Sequence, residues 1–342
     1  MHIKEKYKNK GLTGLANLGN TCYMNSCIQI ISHIYEIHDI INKFNNEKIA
    51  SKNNVFIEWK KLLNLMWSQN CKISPGAFLK TIQNESKKQN NTMFSGFDQN
   101  DACEFLIFIL NCFHENLSTK VNISISGDVK NKRDVIAVKV YKRFKEIIEN
   151  DYSDIVRLFN GLSVNLIKDF NDSNKVYSVS ADPFYSIQLP IYNIKGITLY
   201  DCLKKYTQSE ELKDDNAWYN EDTKTKINVR KNTIFWSLPD ILIIELMRFN
   251  YNGGKIHTIV DFPIKNLNMK PYIIGYNSNN YIYDLFAVCN HSGNQYGGHY
   301  HSHIKNANGK WYNFDDTEVN EISENKIISS KSYCLFYRRH KE

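Results

Sequence analysis

Proline is scarce in this 342-residue sequence, six in all, and fifteen glycines are spread thinly, which excludes collagen-like and low-complexity chains. No stretch approaches the ~18 consecutive apolar residues of a membrane-spanning helix. The opening Met1-His-Ile-Lys-Glu-Lys6 also lacks the apolar core of a secretion signal, so no membrane partner is expected. Charge of neither sign is concentrated. Lys and Arg number 43 against 36 Asp and Glu, a formal +7 with no long run of like charges. Scattered lysines read as solvated faces, not as a nucleic-acid stripe, so no nucleic-acid partner is expected. The eight cysteines, at 22, 27, 71, 103, 112, 202, 289 and 334, include no Cys-x-x-Cys pair. Several sit in apolar contexts, which favours reduced thiols in an intracellular compartment, cytoplasmic or nuclear, over a disulfide framework. What is present is core material: 42% hydrophobic and 13% aromatic residues, enough for one large domain or two ordinary ones.

One stretch stands out, Gly14-Leu-Ala-Asn-Leu-Gly-Asn-Thr-Cys-Tyr-Met-Asn-Ser-Cys-Ile-Gln29. Turn-forming residues run straight into an apolar period in which Cys27, Ile31 and Ile34 share a face, so a helix is predicted to start near Cys22. A thiol at a helix N-terminus faces the positive end of the dipole, which predicts a lowered pKa. The Asn17 amide, five residues upstream, is placed to donate to an oxyanion. The competing reading is a buried structural cysteine in a Gly/Asn turn. Near the other end, Tyr296-Gly-Gly-His-Tyr-His-Ser-His303 leads into Lys310-Trp-Tyr-Asn-Phe-Asp-Asp-Thr317. A histidine there can take the thiol proton, and an acid one strand later can hold the imidazole, which is the logic of a nucleophile, base and orienter.

Together these two boxes resemble those of the ubiquitin-specific proteases, the papain-like cysteine deubiquitinases. The family carries Gly-Leu-x-Asn-Leu-Gly-Asn-Thr-Cys-Tyr-Met-Asn early, and Gly-His-Tyr followed by Trp-x-x-Phe-Asp-Asp late. The resemblance runs from about Gly11 to Arg338. It implies an α+β, papain-like cysteine protease superfold with thumb, palm and fingers. The thumb would span about 11–120, the fingers lie within about 162–240, and the palm fall mainly in 240–340, after a polar lead over 1–10 and with no appended domain. It further implies a thiol-dependent hydrolase of the bond after the C-terminal glycine of ubiquitin, acting on ubiquitinated proteins as a monomer without a cofactor. Carried over residue by residue, Cys22 is the nucleophile, His299 the base, Asp315 its orienter, and Asp316 an acid that shares this role. Asn17 and the Cys22 N–H are the oxyanion donors.

The pattern between the boxes is helical, then strand-like. Phe56, Trp59, Leu62, Leu63 and Met66 mark one helix, Ser74-Pro75 starts another, and Asp101 opens a third. Val135 to Val140 alternates like a strand, and Tyr141 to Phe159 returns to helical spacing. After 240 the pattern is antiparallel strand throughout, His257 to Phe262 included. On their own, Asp101 and Glu104 read as helix-capping acids. Gln99-Asn-Asp-Ala-Cys-Glu-Phe-Leu106 resembles a family motif beside the groove for the ubiquitin tail, which implies that both bind substrate arginines. Gly297, Gly298 and Tyr300 of the histidine box are implied substrate contacts, the glycines suiting a Gly-Gly tail.

Three alternatives stay open at this stage. His299, His301 and His303 share a strand face, and taken alone that spacing suits a metal hydrolase. A catalytically silent ubiquitin-binding module keeps the fold without the chemistry. A ubiquitin-like modifier is the third, as substrate in place of ubiquitin. The family's fingertip Cys-x-x-Cys pairs are missing: the matching turns read Asp169-Phe-Asn-Asp172 and Asn220-Glu-Asp-Thr223. No metal is therefore expected, and the aromatics Phe170, Tyr177, Trp218 and Phe235 are expected to hold the fingers.

Overall fold

The computed structural model describes residues 2–43, 53–250, 254–294 and 297–340, with side chains from Glu5 onward. Helices α1 (His2–Tyr7), α2 (Cys22–Ser32), α3 (Tyr35–Lys43), α4 (Val55–Ser68), α5 (Gly76–Lys88) and α6 (Ala102–Leu117) make up the first third. Two short strands, β1 (Gly14–Leu15) and β2 (Lys72–Ile73), pair in parallel among them. After α7 (Lys132–Ile148) and α8 (Asp154–Phe159) come β3 (Gly161–Asp169), β4 (Val176–Phe184) and β5 (Ser186–Pro190). Past α9 (Leu199–Tyr206) lie β6 (Glu210–Leu212), β7 (Trp218–Asn220), β8 (Thr225–Ile227), β9 (Val229–Ser237) and β10 (Ile241–Met247). The remainder adds β11 (Leu267–Asn268), β12 (Ile282–Asn294), β13 (Gly297–Lys305), β14 (Trp311–Asp315), β15 (Glu318–Ile322) and β16 (Ser332–Arg339).

The main sheet runs β15-β14-β13-β12-β16-β10-β5, with β11 beside β12. It is antiparallel except where β5 joins β10 in parallel. Every residue of α2 is buried, the polar Asn25, Ser26, Gln29 and Ser32 included. It lies between α6 and the face of β13 that presents Tyr300, Ser302 and Ile304. Ile28, Ile30 and Ile31 are fully buried, each stabilising the fold by about 1.5–3 kcal/mol. That packing fixes the start of α2 over one end of the sheet. Among the described residues no helix is long and apolar enough to cross a membrane.

The polar lead turns out to be ordered. Residues 2–7 form α1, and Tyr7 stacks on Tyr35 with ring centroids 4.6 Å apart. The strand-like Val135 to Val140 is helical, inside α7. Asn131 and Asp134 close a capping box at its start, and Ala137 and Val140, three apart, bury against the second sheet. The strand expected over His257 to Phe262 is absent, leaving one bridge from Asp261 to Thr198. The buried Arg248 claims the carbonyls there: its Nη1 donates to the oxygens of Ile256 and Thr258, each at 2.9 Å.

The second sheet runs β4-β3-β9-β6. At its tip the Phe170 ring lies between Lys213 and Arg230, 4.5 and 4.9 Å from its centroid. Glu211 pairs with both cations, at 2.7 and 3.2 Å. Tyr177 stacks on Trp218 and donates to Asp169 at 2.6 Å. Asp169 and Asn220 each accept N–H groups of their own turns. Phe235 is not at the tip: it packs on Tyr206 and Phe184 in the main core.

Candidate active site

Cys22 is the first residue of α2. Its predecessor Thr21 does not cap the helix. The Thr21 hydroxyl instead accepts the Leu18 N–H at 2.8 Å and donates to Asn17 Oδ1 at 3.3 Å. The orphan N–H groups of the first turn are thus left without a side-chain cap. Those of Cys22 and Tyr23, with the Tyr300 N–H of β13, act on the thiol and lower its pKa. The net shift is nevertheless upward, against the expectation from the dipole. Burial is the largest cause, the Asp316 charge adds to it, and the three N–H groups offset only part.

His299 lies on β13 and Asp315 at the end of the neighbouring β14. His299 Nε2 and Asp315 Oδ1 are 2.5 Å apart, so Nδ1 is the ring nitrogen left for proton exchange. Asp316 makes different hydrogen bonds. It occupies the left-handed region, φ 49°, at the first position of the two-residue turn between β14 and β15. Its carboxylate accepts Asn17 Nδ2 at 3.0 Å and Asn25 Nδ2 at 2.8 Å, and its backbone oxygen accepts the Leu15 N–H. Gly14 has no room for a side chain, since a Cβ would lie 2.2 Å from the Thr317 oxygen. The turn is thereby clamped onto the loop ahead of Cys22. Asp316 is therefore bonded to Asn17 and Asn25, with its carboxylate within 4.8 Å of the His299 ring. Asn17 Oδ1 accepts the N–H groups of Gly19 and Thr21, which sets the amide plane and leaves one Nδ2 hydrogen beyond the Asp316 bond.

The remaining predicted residues line a wall between α6 and the sheet. Asp101 caps α6 through Oδ1, accepting the N–H groups of Cys103 and Glu104. Its Oδ2 accepts the hydroxyls of Tyr300, 3.2 Å, and Tyr333, 2.6 Å. Both oxygens are engaged, and Tyr300 is buried, so these two side chains brace the wall from within. Glu104 is exposed, and its carboxyl is pushed up by partial burial and by Asp101. The space beside Gly297 and Gly298 is taken by the chain itself. A Cβ on Gly298 would lie 2.2 Å from His291 Nε2, and one on Gly297 3.1 Å from Gln99 Oε1. Tyr296 lies outside the described residues.

Two residues of this wall escape sequence reasoning. Gln99 accepts the Gly298 N–H at 2.7 Å, joining the α6 loop to β13. Glu245 on β10 meets the Tyr333 hydroxyl and Gln188, and burial followed by Asp101 pushes its carboxyl up. A lone acid inside Ile241-Leu-Ile-Ile-Glu-Leu246 was the available signal.

The three histidines of β13 do not converge. Among the described residues, the one group of three or more possible metal ligands with donor atoms within 4.8 Å of one another is His299, Asp315 and Asp316. Its acids are engaged by His299 and the two asparagines, a hydrogen-bonded relay in place of an open ligand set. His301 and His303 are half-buried farther along β13, and burial pushes both imidazoles down to about 4, so they are neutral.

Comparison with known proteins gives a consistent result. The profile of the family described as ubiquitin carboxyl-terminal hydrolase matches residues 13–337. Ubiquitin carboxyl-terminal hydrolase Usp2 of Drosophila melanogaster is 32% identical over 97% of this chain and 35% of its own length. Ubiquitin carboxyl-terminal hydrolase 2 of Homo sapiens is 30% identical over 96% of the chain and 55% of its own. The chain thus spans about a third to a half of these curated relatives. Among solved structures, a SAGA DUB module of Ubp8, Sgf11, Sus1 and Sgf73 bound to monoubiquitin matches with a TM-score of 0.73. It is 23% identical and covers 97% of this chain and 70% of that one. The module bound to ubiquitin aldehyde gives 0.71 at 24% identity, over 98% and 71%. The fold shared with them is the α+β, papain-like one.

Proposed function

The chain belongs to the ubiquitin carboxyl-terminal hydrolase family, and from that premise we propose that it is a thiol-dependent deubiquitinase. It hydrolyses the peptide or isopeptide bond after the C-terminal glycine of ubiquitin. The observation that carries this reading is the 2.5 Å contact of His299 Nε2 with Asp315, on strands packed against the helix that starts at Cys22. Asp315 fixes the tautomer and orientation of the ring, and Nδ1 takes the thiol proton as sulfur attacks the glycine carbonyl. The oxyanion is received by the Cys22 N–H and the free Nδ2 hydrogen of Asn17, whose amide Asp316 holds in place. His299 returns the proton to the leaving lysine amine as the C–N bond breaks. Water, deprotonated by His299, then cleaves the thioester. The raised thiol pKa suits a resting neutral thiol that gives up its proton once substrate is bound. Glu104 and Glu245 offer carboxylates to the cationic tail of ubiquitin. The chain acts on ubiquitinated proteins as a monomer, with neither nucleic acid nor membrane as partner.

A ubiquitin C-terminal electrophile tests this on the chain as it stands. A covalent adduct at Cys22, absent from Cys22→Ala, is expected. A bound but unreacted probe overturns the reading in favour of a silent binding module. Reaction only with the electrophile of a ubiquitin-like modifier replaces the substrate.

A further inference from the structure

Beneath the strand that carries His299 lies a contact that the triad does not use. Lys255 is bridged to Phe249, just past the end of β10, and its Nζ reaches His291 on β12. It lies 2.9 Å from His291 Nδ1 and donates to the His291 backbone oxygen at 2.7 Å. An ammonium has donors and no acceptor, so Nδ1 must be the accepting nitrogen and the ring proton sits on Nε2. The His291 ring is buried and neutral, lying 4.5 Å from Tyr300 between centroids and flanked by Phe249 and Tyr333. Its Nε2 fills the space under Gly298, the residue before His299.

We propose that Lys255 is a positioning residue for the proton-transfer base, acting through His291. Two hydrogen bonds fix one rotamer and one tautomer of a ring that forms the floor under Gly298. The floor sets the height at which β13 enters the site, and so the distance of His299 Nδ1 from the Cys22 sulfur. The placement of the ammonium supports a role beyond packing. Burial, then Arg248 and Lys331, oppose its charge and bring Lys255 down to about 8. An ammonium kept against burial and two cations is an unfavourable choice for a merely structural prop.

This inference rests on the hydrolase reading, and its test separates the two. Lys255→Met and Lys255→Arg are compared with the parent chain on a fluorogenic ubiquitin substrate. The rate of Cys22 alkylation by iodoacetamide at neutral pH is followed by peptide mass spectrometry. Lys255→Met should lower kcat about tenfold with little change in KM, as a small displacement of a reacting group does. It should also slow Cys22 alkylation, and Lys255→Arg, which keeps the charge and donors, should recover most of both. Unchanged kcat and alkylation in Lys255→Met overturn the proposal, as does a loss confined to KM or an equal loss in both variants. A parent chain that turns over no ubiquitin substrate sinks the hydrolase reading. The alkylation comparison then still decides the positioning role.

Discussion

The loop ahead of Cys22 and the tip of the four-stranded sheet are both made of turns and polar side chains, but they are held in opposite ways. The loop and the first turn of α2 are tied to a turn 299 and 291 residues away by hydrogen bonds from Asn17 and Asn25 to one carboxylate, and by a glycine with no room for a side chain. The tip is tied to itself, through Phe170 between two cations, Glu211 across them, and Tyr177 on Trp218. Surface ion pairs are screened by salt and contribute little each, whereas the clamp belongs to a network in which Asn17 and Asn25 also bond the backbone of their own segment. The contrast suits a site that needs sub-ångström placement and a sheet edge that does not.

The largest effect should come from the sulfur itself. Cys22→Ala should cut hydrolysis of a fluorogenic ubiquitin substrate by about 10⁴-fold or more while ubiquitin binding survives. Retained turnover would sink the nucleophile assignment.

Next, the two neighbouring acids should separate chemistry from clamping. Asp315→Ala is expected to lower kcat/KM by about 10²–10³-fold, since the ring loses its orienter. Asp316→Ala should cost less activity, about tenfold, but more stability, about 1–3 kcal/mol, because Asn17, Asn25 and the turn come loose together. Kinetics and thermal melts of the two variants, read side by side, would expose an inverted assignment.

A third, intermediate effect is a pH dependence confined to one side of the comparison. His33, His291, His301 and His303 are each pushed down from 6.5 to about 4, chiefly by burial. Each is neutral when folded and protonated more readily when unfolded. Its contribution to stability is complete above about 6.5 and is lost as pH falls towards 4. Residues 161–240 contain no histidine. Between these pH values, hydrogen exchange should rise in the main sheet and change least in β3, β4 and β9. A uniform rise would mean that the two sheets unfold as one unit.

The smallest effects belong to the tip. Phe170→Ala removes two cation–π contacts of about 0.5–1 kcal/mol each. It should speed exchange around Asp169 and Lys213 without changing kcat. Chelators should leave activity intact, since Asp169 and Asn220 cap their own turns. Activity lost together with about one zinc per chain would show that the tip is stapled after all.

Local signals made much of this legible. The apolar period after Cys22, the Pro75 start and the Asp101 cap are short-range patterns, and the structure follows them. Val135 to Val140 misled because β-branched alternation carries no record of a capping box four residues upstream. The His257 segment misled because Arg248, a residue outside it, decides its carbonyl partners. The site was legible as residue types and not as pairings. Nothing near Asp316 in sequence says that it faces Asn17, and nothing near Gln99 points to Gly298. Glu104 and Glu245 reach one wall from a helix and a strand that only the fold brings together.

The clamp at Asp316 also sets a time. During synthesis Cys22 emerges early, while the turn that holds Asn17 follows nearly 300 residues later. At about 5–20 residues per second this gap lasts roughly 15–60 s. Over that interval Asn17 lacks the carboxylate that holds its amide. The clamp on Asn17 can close only after the turn between β14 and β15 has been made.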